Sequence, residues 1–211
     1  MPIALQPSLL DDLAEAAPGQ LGAGTERTVL GRGAWVDVHP GWLSGAGLLF
    51  ERLVDAVPWR GERRQMYDRE VDVPRLLCFY DEVESLPDPV LDQARAALNS
   101  HYLAELGEPF RTAGLCYYRD GRDSVAWHGD RIGRARPARG HDGGDRLALG
   151  AARPLLLRPR GGGSSLRFAV GHGDLLVMGG SCQRTWEHAI PKTTRPVGPR
   201  ISVQFRPRGV R

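Results

Sequence analysis

From Phe110 onward the chain is cut into short apolar segments separated by turn residues. Phe110–Arg119, Pro154–Arg158, Leu166–Val170, Leu175–Met178, Thr185–His188 and Arg200–Phe205 each have strand length and composition, and Gly161-Gly-Gly163 and Gly171-His-Gly-Asp174 read as hairpin turns. The upstream half has a different period. Ser44 is placed to cap a helix through Val57, with Leu48, Leu49, Leu53, Val54 and Val57 at helical spacing and Pro58 as the stop. Pro89–Leu106 is the clearest helix, with Val90, Leu91, Ala94, Ala97, Leu98 and Leu103 on one apolar face and Gly107 as its end. Helices followed by a run of short strands predict an α+β, mainly β fold with helices on one side of an antiparallel sheet system. Two such sheets closing face to face make a jelly roll.

The remaining segments are less regular. Thr28–Leu30, Trp35–Val38 and Arg75–Tyr80 read as strands, Arg60–Asp72 as a charged connection, and the polar, Gly-rich Arg131–Arg146 as an exposed loop. Residues 1–33 read as a variable N-terminal arm with a helical piece at Leu9–Ala17. Residues 34–211 read as one domain, with lid and supporting helices over 34–109 and the strand-rich core over 110–211.

The composition, 25% charged and 41% hydrophobic in 211 residues, is that of a soluble protein, and no apolar run approaches the ~20 residues of a membrane span. No secretory signal is visible at the N-terminus. Cys78, Cys116 and Cys182 are odd in number and lack CxxC spacing, which points to a reduced, cytoplasmic protein rather than a disulfide framework or zinc site. The net charge is +3. After Glu187 every charged residue is basic, and Arg131–Gly140 carries arginines and no acid. That suits a phosphate-bearing substrate. Lys192 is the only lysine, so the reading of arginine as the default surface cation weighs equally.

The chemistry concentrates between Trp127 and Arg206. In a strand, His128 and Asp130 face one side and Gly129 the other. With His188 on a later strand they make two histidines and a carboxylate, the set that holds non-haem Fe(II) and leaves positions open. Alone, an HxD triplet is more often a hydrogen-bonded pair at a strand end. His39, His101, His141 and His172 read as structural. Arg200 and Arg206 are an even number of residues apart, so a regular strand turns both to one face and Ile201, Val203 and Phe205 to the other. Two inward arginines suit a small dicarboxylate. Without the metal motif they read as surface residues of an edge strand. Tyr117 and Tyr118, just before the HxD, are either a ligand contact or core aromatics.

Four stretches occur in a set order: Tyr118-Arg-Asp-x-x-Asp-Ser-Val-x-Trp-His128-x-Asp130, Gly171-His-Gly-Asp-Leu-Leu-Val-Met-x-Gly180, Gln183-x-x-Trp-x-His188-x-x-Pro191-Lys and Pro199-Arg200-x-Ser-x-x-Phe-Arg206. Together they resemble the AlkB family of Fe(II)- and 2-oxoglutarate-dependent dioxygenases, over roughly residues 60–211. Pro74-Arg-Leu-Leu-Cys-Phe-Tyr-Asp81 resembles that family's substrate lid. The resemblance implies a double-stranded β-helix, a cupin-like jelly roll, using Fe(II), 2-oxoglutarate and O2. It implies His128, Asp130 and His188 as iron ligands, and Cys116, Tyr118, Arg200, Ser202 and Arg206 around 2-oxoglutarate. Phe79, Tyr80 and Arg131 would meet the substrate, with Trp127 and Trp186 behind the site.

The implied reaction is oxidative demethylation of 1-methyladenine or 3-methylcytosine in DNA, or RNA, releasing formaldehyde, succinate and CO2. The expected protein is a monomer with alkylated nucleic acid as partner and no membrane. A base in duplex has to be flipped out to react. The alternative is a 2-oxoglutarate dioxygenase acting on modified RNA, protein or a small molecule. Cys116 and Ser202 stand where the family often has asparagine, and Arg131-Ile132 stands where repair members commonly carry a base-reading acid. Asp142 and Asp145 are the acids left to read the base.

Overall fold

The computed structural model describes residues 15–66, 69–129 and 144–208. In chain order the elements are β1 (Ala17–Pro18), β2 (Glu26–Val29), β3 (Ala34–His39), β4 (Leu43–Ser44), α1 (Ala46–Ala56), β5 (Arg60–Met66), β6 (Arg69–Tyr80), α2 (Pro89–Leu106), β7 (Thr112–Tyr118), β8 (Val125–His128), β9 (Gly144–Gly150), β10 (Arg153–Pro159), β11 (Leu166–Val170), β12 (Leu175–Gly180), the single turn α3 (Cys182–Thr185), β13 (Trp186–Ile190) and β14 (Arg200–Arg206). An eight-stranded sheet runs β2-β3-β12-β9-β14-β7-β6-β5, and a four-stranded sheet runs β11-β10-β13-β8.

Alternation along each strand sorts side chains between two cores. Ile201, Val203, Phe205, Leu147, Leu149, Leu175, Val177, Ala113 and Leu115 pack under α1 and α2. Their neighbours Ala148, Leu176, Met178, Cys116 and Tyr118 face the other way, against Leu155, Leu157, Val125, Val170 and Ile190 of the small sheet. The molecule is therefore helices, large sheet, small sheet, with the second core inside the jelly roll. The expected fold class is the observed one.

Both helices lie where their periodicity puts them. In α1, Ala46, Leu49 and Leu53 are buried, and Val57 closes the helix before Pro58. Its N-cap is Gly45 in the left-handed region (φ 58), whereas Ser44 is spent in β4, donating to the Ala17 carbonyl (3.2 Å). In α2, Asp88 accepts from the Val90 amide (2.9 Å), Pro89 opens the helix, and left-handed Gly107 ends it. Tyr102 rather than Leu103 lies on the buried face; Leu103 is exposed.

Three readings are corrected. Arg60–Asp72 is not a connection: β5 and β6 form a hairpin along the edge of the large sheet. The loop expected over Arg131–Arg146 gives way by Gly144 to β9, a central strand between β12 and β14. Residues 17–29, assigned to the arm, supply β1 and the edge strand β2. Most of the Leu9–Ala17 helical piece lies outside the described residues, and Ala17 is in β1.

Candidate active site

The inner face of β14 presents Arg200, Ser202, Gln204 and Arg206, since Ile201, Val203 and Phe205 occupy the helix side. Strand β7 continues this face. Arg200 lies opposite Tyr118, Ser202 opposite Cys116, Gln204 opposite Gly114, and Arg206 opposite Thr112. Arg200 is 2% exposed, and its Nη1 donates to the Val170 carbonyl (2.7 Å), which fixes the guanidinium at one end of the row. At the other end Arg206 donates to Gln204 Oε1. Gln204 Nε2 in turn reaches Cys116 Sγ (3.3 Å) and Ser202 Oγ (3.4 Å). A Cβ on Gly114 would stand 2.6 Å from Arg206 Nη1, so glycine there lets Arg206 lie across β7.

The small sheet carries the histidines. His188 and His128 are directly opposed on β13 and β8, with ring centroids 4.2 Å apart. This depends on a bulge. Between the Ile190–Val125 and His188–His128 pairs, β8 has one residue more than β13. Strict alternation would turn Val125 and His128 to opposite faces, and the extra residue turns both inward. Trp127 faces out, beneath the Arg158 guanidinium (4.2 Å to the ring centroid), and Arg158 pairs with Glu187 (3.1 Å). His128 Nδ1 donates to the Ala126 carbonyl (2.8 Å), so its Nε2 carries the lone pair a metal needs. His188 is 2% exposed. A Cβ on Gly129 would meet Arg160 Nη2 at 2.5 Å and the Gln183 carbonyl at 2.9 Å, so the chain after His128 packs against the approach to His188 only as glycine.

Asp130 and Arg131 lie outside the described residues, as does Asp142; Asp145 is described only as a backbone position in β9. Among the described residues no three His, Cys, Asp or Glu side chains converge. The described donors, two opposed imidazoles, are of the type that binds a divalent transition metal.

The lid residues separate. Register puts Phe79 opposite Gly114, on the face of the arginine row, and Tyr80 opposite Ala113, on the helix side. Tyr80 packs with Cys78 and Tyr117 against the helical core, and burial together with a hydrogen bond to the Cys78 sulfur raises its hydroxyl pKa. The expectation that Tyr80 covers the substrate is corrected: it faces away. Trp186 leans on the inner core and donates to the Gly31 carbonyl (3.4 Å). Trp127, by contrast, supports the small sheet from outside.

Sequence reading missed Gln204, Arg75 and Arg153. Gln204 shares the parity of Arg200 and Arg206, which was the available signal. Arg75 lies against Cys116 and Tyr118 and donates to the Ser124 carbonyl (3.2 Å); its position on β6 shows only once β6 pairs with β7.

A profile of the 2OG-Fe(II) oxygenase superfamily matches residues 38–206. The chain belongs to that superfamily, whose cofactor is Fe(II) and whose co-substrates are 2-oxoglutarate and O2. Human alpha-ketoglutarate-dependent dioxygenase alkB homolog 3 is 28% identical over 192 residues, 81% of this chain and 65% of that protein. The rat protein of the same name is 30% identical, covering 81% and 63%. Human DNA oxidative demethylase ALKBH2 is 30% identical over 129 residues, 56% of this chain and 46% of that protein. Within the superfamily, the chain is of the AlkB family. It spans less than two thirds of the length of these curated relatives. Two solved structures share the fold: OsALKBH1 (TM-score 0.60, 11% identity, 86% of this chain and 100% of that one) and an oxidoreductase of the 2OG-Fe(II) oxygenase family from Burkholderia pseudomallei (TM-score 0.55, 14% identity, 81% and 84%).

Proposed function

We propose that this chain is a 2-oxoglutarate-dependent dioxygenase that removes N-methyl groups from 1-methyladenine and 3-methylcytosine in DNA or RNA. The observation that carries the reading is the pairing of two inner walls. One wall is a row with an arginine at each end; the other is a histidine pair brought to one face by a bulge. His128, His188 and Asp130 would hold the iron, and Arg200, beside Tyr118, would take the distal carboxylate of 2-oxoglutarate in a two-point pair. Cys116, Ser202 and Gln204 line the wall between, and Arg206 closes the end beside Phe79. Bound Fe(II) with 2-oxoglutarate and O2 supplies the oxidation: the co-substrate becomes succinate and CO2, and one oxygen atom enters the methyl C–H bond.

The resulting hydroxymethyl group leaves as formaldehyde and the base regains its lone pair. The buried row works before that step. It fixes one end of the co-substrate and keeps water from the carboxylate, so the contact is stronger than it would be in solvent. Phe79 gives a cationic methylated base an apolar, aromatic neighbour, and Arg131 gives the backbone a phosphate partner.

Succinate and formaldehyde should form together when the full chain meets Fe(II), 2-oxoglutarate and an oligonucleotide carrying either lesion. His128→Ala is expected to lose both products while oligonucleotide affinity stays within about twofold, because metal and phosphate contacts are separate terms. Succinate without formaldehyde on both lesions would sink the demethylase reading. It would favour the second one, a dioxygenase of another substrate, which Arg131-Ile132 in place of a base-reading acid already keeps in view.

A further inference from the structure

Strand β10 begins with an arginine that the proposed chemistry does not use. Arg153 is 2% exposed, inside the small sheet. Its described hydrogen bonds all end on main-chain carbonyls: Nη1 to Asp120 (3.1 Å), and Nη2 to Asp123 (3.0 Å) and Pro191 (2.6 Å). Asp120 and Asp123 lie in the turn that leads into β8, and Pro191 directly follows β13. One guanidinium thus ties together the start of the His128 strand and the end of the His188 strand.

The place matters because of the bulge. A strand pair with an extra residue on one side has its facing decided by where the pairing starts, and a slip of one residue exchanges the faces. The Val125–Ile190 pair is the fixed end of this count, and it is the end Arg153 holds. Two further bonds brace the same turn, from the Ser124 amide to the Pro74 carbonyl (2.8 Å) and from the Thr193 amide to the Gly121 carbonyl (2.8 Å). Burial pushes the guanidinium pKa down, so the position is an expensive one for a cation. An apolar side chain would fill the space but could not reach three carbonyls on two segments.

We infer that Arg153 is a positioning residue for the metal site: by pinning the starting register of the bulged pair, it keeps both His128 and His188 turned to the same point. The inference rests on the reading of those histidines as metal ligands.

The test is a titration of the protein, residues 1–211, with Mn(II), the bound ion being read from loss of the free-ion EPR signal. Wild type, His128→Ala, Arg153→Met, Arg153→Lys and Leu91→Ala are compared, with thermal midpoints recorded. Leu91→Ala destabilises the chain from α2, on the far side of the large sheet. Arg153→Met is expected to weaken Mn(II) binding about 10- to 100-fold, the usual effect of removing a group that orients metal ligands. Arg153→Lys, which keeps the charge but not the planar fork, should fall between Met and wild type. Leu91→Ala should bind within about twofold of wild type, since it leaves the orienting groups in place.

Wild-type affinity in a folded Arg153→Met overturns the inference, as does an equal loss in Leu91→Ala. If Arg153→Met does not fold, wild-type affinity in Arg153→Lys overturns it. Undiminished binding by His128→Ala, or none by wild type, overturns instead the metal-site reading beneath it.

Discussion

Gly114 and Arg206 show how one missing side chain sets a site. Arg206 lies across the strand facing it because Gly114 has no Cβ. In Gly114→Ala the obstruction would meet only the far end of a flexible arginine, so the fold can yield by moving that end. We expect a thermal midpoint close to wild type and 2-oxoglutarate binding about tenfold weaker, the loss of roughly one charge-assisted hydrogen bond. Equilibrium binding of 2-oxoglutarate to the metal-loaded protein is the measurement, and unchanged affinity would remove Arg206 from the co-substrate contacts. Asp123 is a second single-residue case. Burial raises its pKa, but the Arg119 guanidinium and amide (2.8 and 2.9 Å) outweigh that, and the carboxyl is held below the usual range. A carboxyl depressed in the folded state stabilises above its unfolded pKa of about 3.9 and loses that contribution as pH falls through the lower folded value. Asp123→Asn should therefore flatten the fall in stability below about pH 4 in a denaturation series, leaving the profile near neutrality parallel to wild type.

Among the elements, α2 is the most self-contained. Asp88 both caps it and accepts from Arg52 Nε (2.7 Å), joining the helix start to α1. Asp88→Ala should lower unfolding free energy by about 1 kcal/mol in urea denaturation, chiefly the lost cap, with metal binding unaffected. The hairpin β5–β6 is the opposite kind of element. Its first strand, Arg-Gly-Glu-Arg-Arg-Gln-Met, has no apolar alternation and reads alone as a charge run. It is a strand because β6 offers it a ladder, a preference that belongs to the sheet and not to the segment. Strand β9 was hidden similarly: Leu147-Ala-Leu149 is too short to signal itself beside the polar stretch before it, yet it is held on both sides in the finished sheet.

At the scale of the molecule, one network joins the sheet edge to the helical layer. Asp37 of β3 accepts from Arg27 of β2 (2.7 Å) and from the Tyr102 hydroxyl of α2 (3.0 Å), while Arg27 also reaches Glu105 (2.7 Å) and lies over Trp35. Burial, with Asp37 beside it, raises the Tyr102 pKa. Tyr102→Phe should cost about 1.5–3 kcal/mol of unfolding free energy, the range for a hydrogen bond to a charged group, with 2-oxoglutarate affinity unchanged because the network lies on the far side of the large sheet. A matching loss of co-substrate affinity would show that the two layers are coupled. The interior of the jelly roll is the reverse of this outer core. Arg153, Gln183, His188, Arg200, Ser202 and Gln204 are all buried there among apolar side chains. That concentration of buried polar groups makes the interior the costly part of the fold.

The sequence by itself determined whatever depends on local period and chemical type. Helical spacing and caps placed α1 and α2, and period-two alternation put Arg200 and Arg206 on one face of β14. The histidines, the aspartate and the arginines named the chemistry through a resemblance of ordered motifs. Only the tertiary structure decided what depends on pairing. The bulge that turns His128 inward, the facing of Phe79 and Tyr80, the strand character of β5 and β9, and the reach of Arg153 to two segments all follow from register. Register is a relation between segments far apart in the chain, and a one-residue difference in it exchanges every face. Local pattern can state which residues a site needs, but it cannot state which partner strand will turn them toward one another.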